Sequence, residues 1–269
     1  MTRVVALLAK DIADLRHSPG IFLPGVLTGL ATVVYPFVIA VIVPYFAGER
    51  LSDSSDFEIA VEMYRSQPDS RSLSAEGAIQ AAIFQWALTL LVGLTTVTGS
   101  MSIAAHSVIG EKQARSLEPL LATPLRTFEL LAAKVIGAAV PGIALTTVCF
   151  VLYVLLVAIF AEPGVWTTLV TLRSMIFVFV LGPLAALVGL QLAVCASART
   201  NDPRSAQQVG ALFLVIPIVG LQIAQFVGGV ALTTSMMALA TLVLVIINGI
   251  MLRIAIGVFD RESILTRWK

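Results

Sequence analysis

Few residues in this chain could do covalent chemistry, and their spacing argues against it. His106 is the one imidazole near an apolar run, with Ser100 and Ser102 six and four residues before it. A serine nucleophile needs a base within reach and a strained GxSxG turn to present it, and the chain has no such string. Metal-dependent transferases and proteases need clustered Asp, Glu or His ligands, and none converge in the sequence. Cys149 and Cys195 fall in separate apolar runs, without CxxC spacing or histidine neighbours. They read as small buried hydrophobes rather than as metal ligands or a disulfide. No GxxxxGK[ST] string occurs, so the chain does not bind ATP by that route. The interiors of the apolar runs carry no Asp, Glu, Lys or Arg of the kind that couples a transporter to protons or sodium.

What remains inside the apolar runs is mild: Gln85, Gln191, Gln207, Gln208, Gln222, Gln225 and Asn248. Amides in a bilayer can bridge helices, for about 0.6–2 kcal/mol each. Alternatively, Gln85, Gln191, Gln222, Gln225 and Asn248 line a translocation path. Gln222 and Gln225 are three apart and share a helix face.

A charged, proline-punctuated island lies between two long apolar runs, from Glu111 to Lys134, EKQARSLEPLLATPLRTFELLAAK. It holds Lys112, Arg115, Arg126 and Lys134, and basic loops beside membrane spans stay in the cytoplasm. Pro119 opens and Thr123-Pro124 closes a short piece that presents Leu120 and Leu121. Leu117, three and four residues earlier, shares their helical face. Thr123 is placed to cap the next helix, with Pro124 at its first position. Such a face either folds back on the spans and the interface or receives a soluble partner.

The elements that hold these groups are set by composition. Charged residues are 12% of the 269 and mean hydropathy is +0.96, which makes this a polytopic membrane protein. Six runs are long enough to cross roughly 30 Å of hydrocarbon. They lie at about 21–47, 79–108, 130–160, 170–198, 207–227 and 230–256. Only Gly228-Gly229 separates the last two, which suits a tight hairpin or a re-entrant pair. Pro36, Pro44, Pro141, Pro183 and Pro217 interrupt their runs and mark expected kinks. Lys10, Asp11, Asp14 and Arg16 break up what would be the core of a signal peptide. Instead Val4, Leu8, Ile12 and Leu15 share one face, which predicts an interfacial amphipathic helix over 1–18. The loop at 48–78 carries seven acids, Glu49, Asp53, Asp56, Glu58, Glu62, Asp69 and Glu76. It reads as a solvated outer loop or as a cation-attracting vestibule, with Ser55 and Glu58 as a capping box. Thirteen Lys and Arg fall on one side of the resulting topology and four on the other, so both termini are expected in the cytoplasm.

The string LEPLLATP, entered from Glu111, resembles the segment after the second span of ABC-2 type transporter permeases. The matching residues are Glu111, Leu117, Glu118, Leu120, Leu121, Thr123 and Pro124. The C-terminal FDRESILTRWK, Phe259 to Lys269, is similar to the end of such permeases. Ala114-Arg115-Ser116 departs from a Gly-Thr pair common in relatives. The resemblance implies an all-α membrane domain of six spans over 1–269, with a coupling helix in the region 109–129. It implies docking of an ATPase subunit through Glu111, Arg115, Leu117, Glu118, Leu120, Leu121, Thr123 and Pro124. ATP and magnesium would be bound by that partner, with no cofactor in this chain. Two copies, or one copy and a close homologue, would pair in the bacterial inner membrane, with no nucleic acid involved. Export of drugs, lipids, polysaccharides or small ions is the family tendency. Rival readings are a passive channel and a non-transport membrane subunit that uses the same ATPase.

Overall fold

The computed structural model describes residues 22–48, 50–53, 73–113, 127–197, 216–223 and 233–258, with Gly20 and Gln208 as isolated positions. Outside them lie the expected helix at 1–18, the Ser55–Glu58 capping box, the island core at 114–126, most of the run at 207–227, and the C-terminal motif. The described residues form helices only. Helix α1 spans Leu23–Ala47. Ala75–Leu90, the π turn Leu91–Thr95 and Thr96–Gln113 run on as one helix, α2. Helix α3 is Thr127–Phe160 and the short α4 is Val165–Leu169. Leu172–Ile176, the π turn Phe177–Leu181 and Gly182–Ser197 make α5. Residues 216–223 form α6, and α7 is Thr234–Val258.

Five of these helices, α1, α2, α3, α5 and α7, are long and apolar enough to cross a membrane. The expected run at 207–227 is described only at Gln208 and as α6. Helix α2 begins at Ala75, four residues before the expected 79, because Ser74 caps it. The Ser74 hydroxyl accepts from Gly77 N at 3.0 Å. Glu76, read from sequence as a free acid of the outer loop, is a clamp in the first turn. Its carboxylate accepts from Leu51 N at 3.3 Å and Ser52 N at 3.0 Å, holding the turn Leu51–Asp53 against α2. A carboxylate near a helix start also suits the helix dipole.

Helix α2 is the centre of the molecule. Its apolar stretch is 61% buried, against 28% for α1 and α3, 44% for α5 and 6% for α7. Helix α1 shows how sequence sorts the faces. Leu23, Leu27, Leu30, Val34 and Val38 recur every three or four residues and are exposed. Gly25, Gly29, Thr32, Val33 and Phe37 form the buried face. In lipid such an apolar outer face needs no protein cover, and helices associate through close packing of small residues instead. Towards the end that carries Leu51–Asp53 and α4, Phe37, Phe84 and Tyr153 lock α1, α2 and α3 together. Their ring centroids are 5.0–5.9 Å apart. The Tyr153 hydroxyl, fully buried, donates to the Phe84 carbonyl at 2.9 Å.

Among the described residues, three helices contain a π turn: Val38–Ile42, Leu91–Thr95 and Phe177–Leu181. Two lie just before a proline, Pro44 and Pro183. A proline has no N–H for the carbonyl four residues back, so the ladder widens there. For Pro44 that carbonyl belongs to Ala40, and Gln80 Nε2 reaches it at 3.4 Å. The turn in α2 has no proline after it. Pro36 and Pro141, also expected to kink their runs, sit inside regular α-helix.

Candidate functional site

The island that the sequence marks as a docking region is bracketed by two long helices. Helix α2 continues to Gln113 and α3 resumes at Thr127. Glu111 therefore lies in the last turn of α2. Arg115, Leu117, Glu118, Leu120, Leu121, Thr123 and Pro124 lie outside the described residues. Lys134 corrects the sequence reading. It counted there as a cation of the loop, but it sits in the second turn of α3 and is only 2% exposed. Charge counting could not distinguish a loop lysine from one folded into the foot of a helix.

The amides do not converge on one path among the described residues. Gln85 Nε2 donates to Thr168 O at 2.7 Å and ties α2 to α4. Gln80, which sequence reasoning did not single out, also accepts from Glu162 N at 2.8 Å. Gln191 and Asn248 are brought together, Nε2 to Oδ1 at 2.9 Å, joining α5 to α7. Asn248 Nδ2 also donates to Leu184 O at 3.0 Å and Leu244 O at 2.8 Å. Gln222 Nε2 reaches Trp86 O at 3.5 Å, linking α6 to α2. Gln225 lies outside the described residues. Gln80, Gln85, Gln191, Gln222 and Asn248 thus bridge elements, while Gln191 Oε1 and Gln222 Oε1 are buried without a partner.

Sequence reasoning missed the junction of α1, α2 and α3. Here backbones approach through glycine. A Cβ on Gly25 would stand 2.8 Å from Gly99 Cα, and one on Gly29 2.8 Å from Cys149 Sγ. One on Gly142 would collide with Ser100 Oγ. Buried hydroxyls pair across the same interfaces. Thr32 meets Thr95 at 3.3 Å and Thr96 meets Thr146 at 2.8 Å. Ser100 Oγ is buried without a hydrogen-bond partner. Gly25 and Gly29 make a GxxxG pair, the signal that could have flagged this contact. The junction offers no nucleophile with a base and no charged cluster among its described residues. Its chemistry is that of helices that lie close and pair through buried hydroxyls.

A family model for ABC-2 family transporter proteins matches residues 5–256. The chain belongs to that family. Comparison with curated proteins gave no match. As an ABC-2 permease, the chain is an integral membrane protein and a transport subunit, of a kind that works with an ABC ATPase. The match runs from the N-terminal segment almost to the end of α7, so the amide bridges and the glycine junction both belong to the permease fold. So does the bracketed island, which the permease carries between α2 and α3.

Proposed function

We propose that this permease is the membrane half of an ATP-driven exporter, forming one membrane domain over 1–269. An ATPase subunit, carrying ATP and magnesium, docks on the region 109–129. Glu111, Arg115, Leu117, Glu118, Leu120, Leu121, Thr123 and Pro124 supply the contact. Two copies, or one copy and a close homologue, enclose the path in the bacterial inner membrane with both termini in the cytoplasm. The cargo class is an amphiphile or small solute: a drug, lipid, polysaccharide or ion. The observation that carries this reading is the course of α2. The most buried of the described spans runs on as one helix from Ala75 to Gln113, directly into the island. A push on the island is therefore delivered to the core rather than to a peripheral span.

The test is to express the permease with its cognate ATPase and purify the pair in lipid. The complex should hydrolyse ATP and move cargo in one direction, while the permease alone hydrolyses none. Steady turnover by the permease alone, after contaminants are excluded, would sink the division of labour. An ATPase complex that turns over but moves no candidate cargo would favour the non-transport reading, and ATP-independent flux would favour a passive channel.

A further inference from the structure

We propose that the π turn Leu91–Thr95 is a register switch in α2, which converts between π and α geometry. Conversion turns the half of the helix that leads to the island relative to the half that does not. A π turn is an α-helix with one residue in excess. Drawing that residue into regular α geometry turns everything beyond it by about 100° and shifts it by about 1.5 Å.

Four observations support the switch. First, the other two π turns precede Pro44 and Pro183, whose missing N–H groups favour a widened ladder. No proline follows Leu91–Thr95, so an all-α course through these residues is open to the chain. Second, neighbouring elements close on this turn through glycines. A Cβ on Gly29 would be 3.2 Å from Thr95 Cγ2, and one on Gly182 would be 2.6 Å from Val92 Cγ1. Gly93, at the centre of the turn, faces Ile218 of α6, whose Cδ1 would lie 2.9 Å from an added Cβ. Only Leu94 of the turn is not fully buried. Third, the half that would turn carries mostly small side chains. From Thr96 to Ala104, six of nine residues are Thr, Ser, Gly or Ala, so Val97, Met101 and Ile103 are the larger buried side chains that a turn would have to repack. Fourth, the observed register leaves the buried Ser100 hydroxyl without a hydrogen-bond partner. That unpaired group raises the free energy of this register and narrows the gap to the alternative.

The test uses the full-length permease in lipid nanodiscs and does not rest on the ATPase reading. Spin labels are placed at Gln113→Cys, the last residue of α2, and at Val140→Cys, on the exposed face of α3, with Cys149 and Cys195 replaced by alanine. Pulsed electron–electron resonance should give two distance populations separated by up to about 8 Å, the chord of a 100° turn at a side-chain radius of about 5 Å. Deleting Leu94 removes the excess residue and should leave one population in a protein that still elutes as a folded species. Gly93→Ala keeps the chain length and serves if the deletion does not fold. Its Cβ crowds Ile218 in the π register, so the ratio of populations should move towards the α register by about fivefold or more. A single population in the wild type, two populations after the deletion, or an unchanged ratio in Gly93→Ala would overturn the switch. Adding the cognate ATPase and ATP is a separate arm. Two populations that ignore nucleotide would leave the switch standing and count against the ATPase reading alone.

Discussion

Gly142 is a position at which a single added methyl group should be costly. Ser100 Oγ occupies the space that any side chain there would need, and Ser100 is itself fully buried on α2. Gly142→Ala should therefore destabilise the fold by about 1–3 kcal/mol, the usual cost of overpacking. It should appear as a lower melting temperature in detergent. Ser100→Gly opens that space, so the pair Gly142→Ala and Ser100→Gly should recover most of the loss. A double variant no more stable than Gly142→Ala alone would show that the contact does not set the helix spacing. The same residues explain why this site was hidden in the sequence. Glycine, serine and threonine within apolar runs read as neutral filler, and their value appears only when a second helix arrives against them. Lys134 was hidden for the opposite reason, since a charge is conspicuous in sequence while its burial is a property of the fold.

Helices were far more legible than their interruptions. The apolar runs locate α1, α3, α5 and α7 to within a few residues, because length and hydropathy alone decide whether a segment can span. The π turns could not be placed in the same way. Pro44 and Pro183 marked two of them as irregular, but Pro36 and Pro141 looked equivalent and sit in regular helix. At Pro44 a tertiary partner accompanies the widened ladder, since the Gln80 amide serves the carbonyl that this proline leaves open. The Leu91–Thr95 turn carries no local mark beyond Gly93. At this scale belongs the prediction for the island between α2 and α3. Leu120→Asp should place a charge in a desolvated contact, which is costly enough to release the ATPase or uncouple its turnover. Insertion of the permease should be unchanged, because no span is altered. Glu118→Ala should assemble more normally yet transport less. Pull-down yield, ATP turnover and transport, measured on the same preparations, give the answer. A Leu120→Asp variant that assembles and transports like wild type would remove the docking role.

Across the described residues, burial is graded from α2 outward, and in the proposed six-span topology the basic residues fall unevenly between the two sides. The latter gives a direct check on orientation. Single cysteines at Ser66 and at Gln113, in a chain lacking Cys149 and Cys195, should differ in access. A thiol reagent added outside intact cells should label Ser66 and spare Gln113, and the reverse pattern would invert the topology. The gradient of burial has a mechanical meaning. Helix α7 rests chiefly on α5 through one face, along which Met237, Thr241, Leu244, Ile247, Asn248, Met251 and Ala255 are buried or half-buried, and most of its other side chains are turned outward. A permease pulled out of the bilayer by its C-terminus should therefore not yield as a single unit. The first rupture on a force–extension curve should free the 25 residues of α7 at low force. Asn248→Leu should lower that force further by removing the amide clasp to Gln191. The remaining helices, stapled by Phe37, Phe84, Tyr153 and the glycine junction, should then come away together at a higher load. One extraction peak for the entire chain would mean that α7 is gripped by more than this face. Under tension, the protein is a cohesive body with a detachable outer stave.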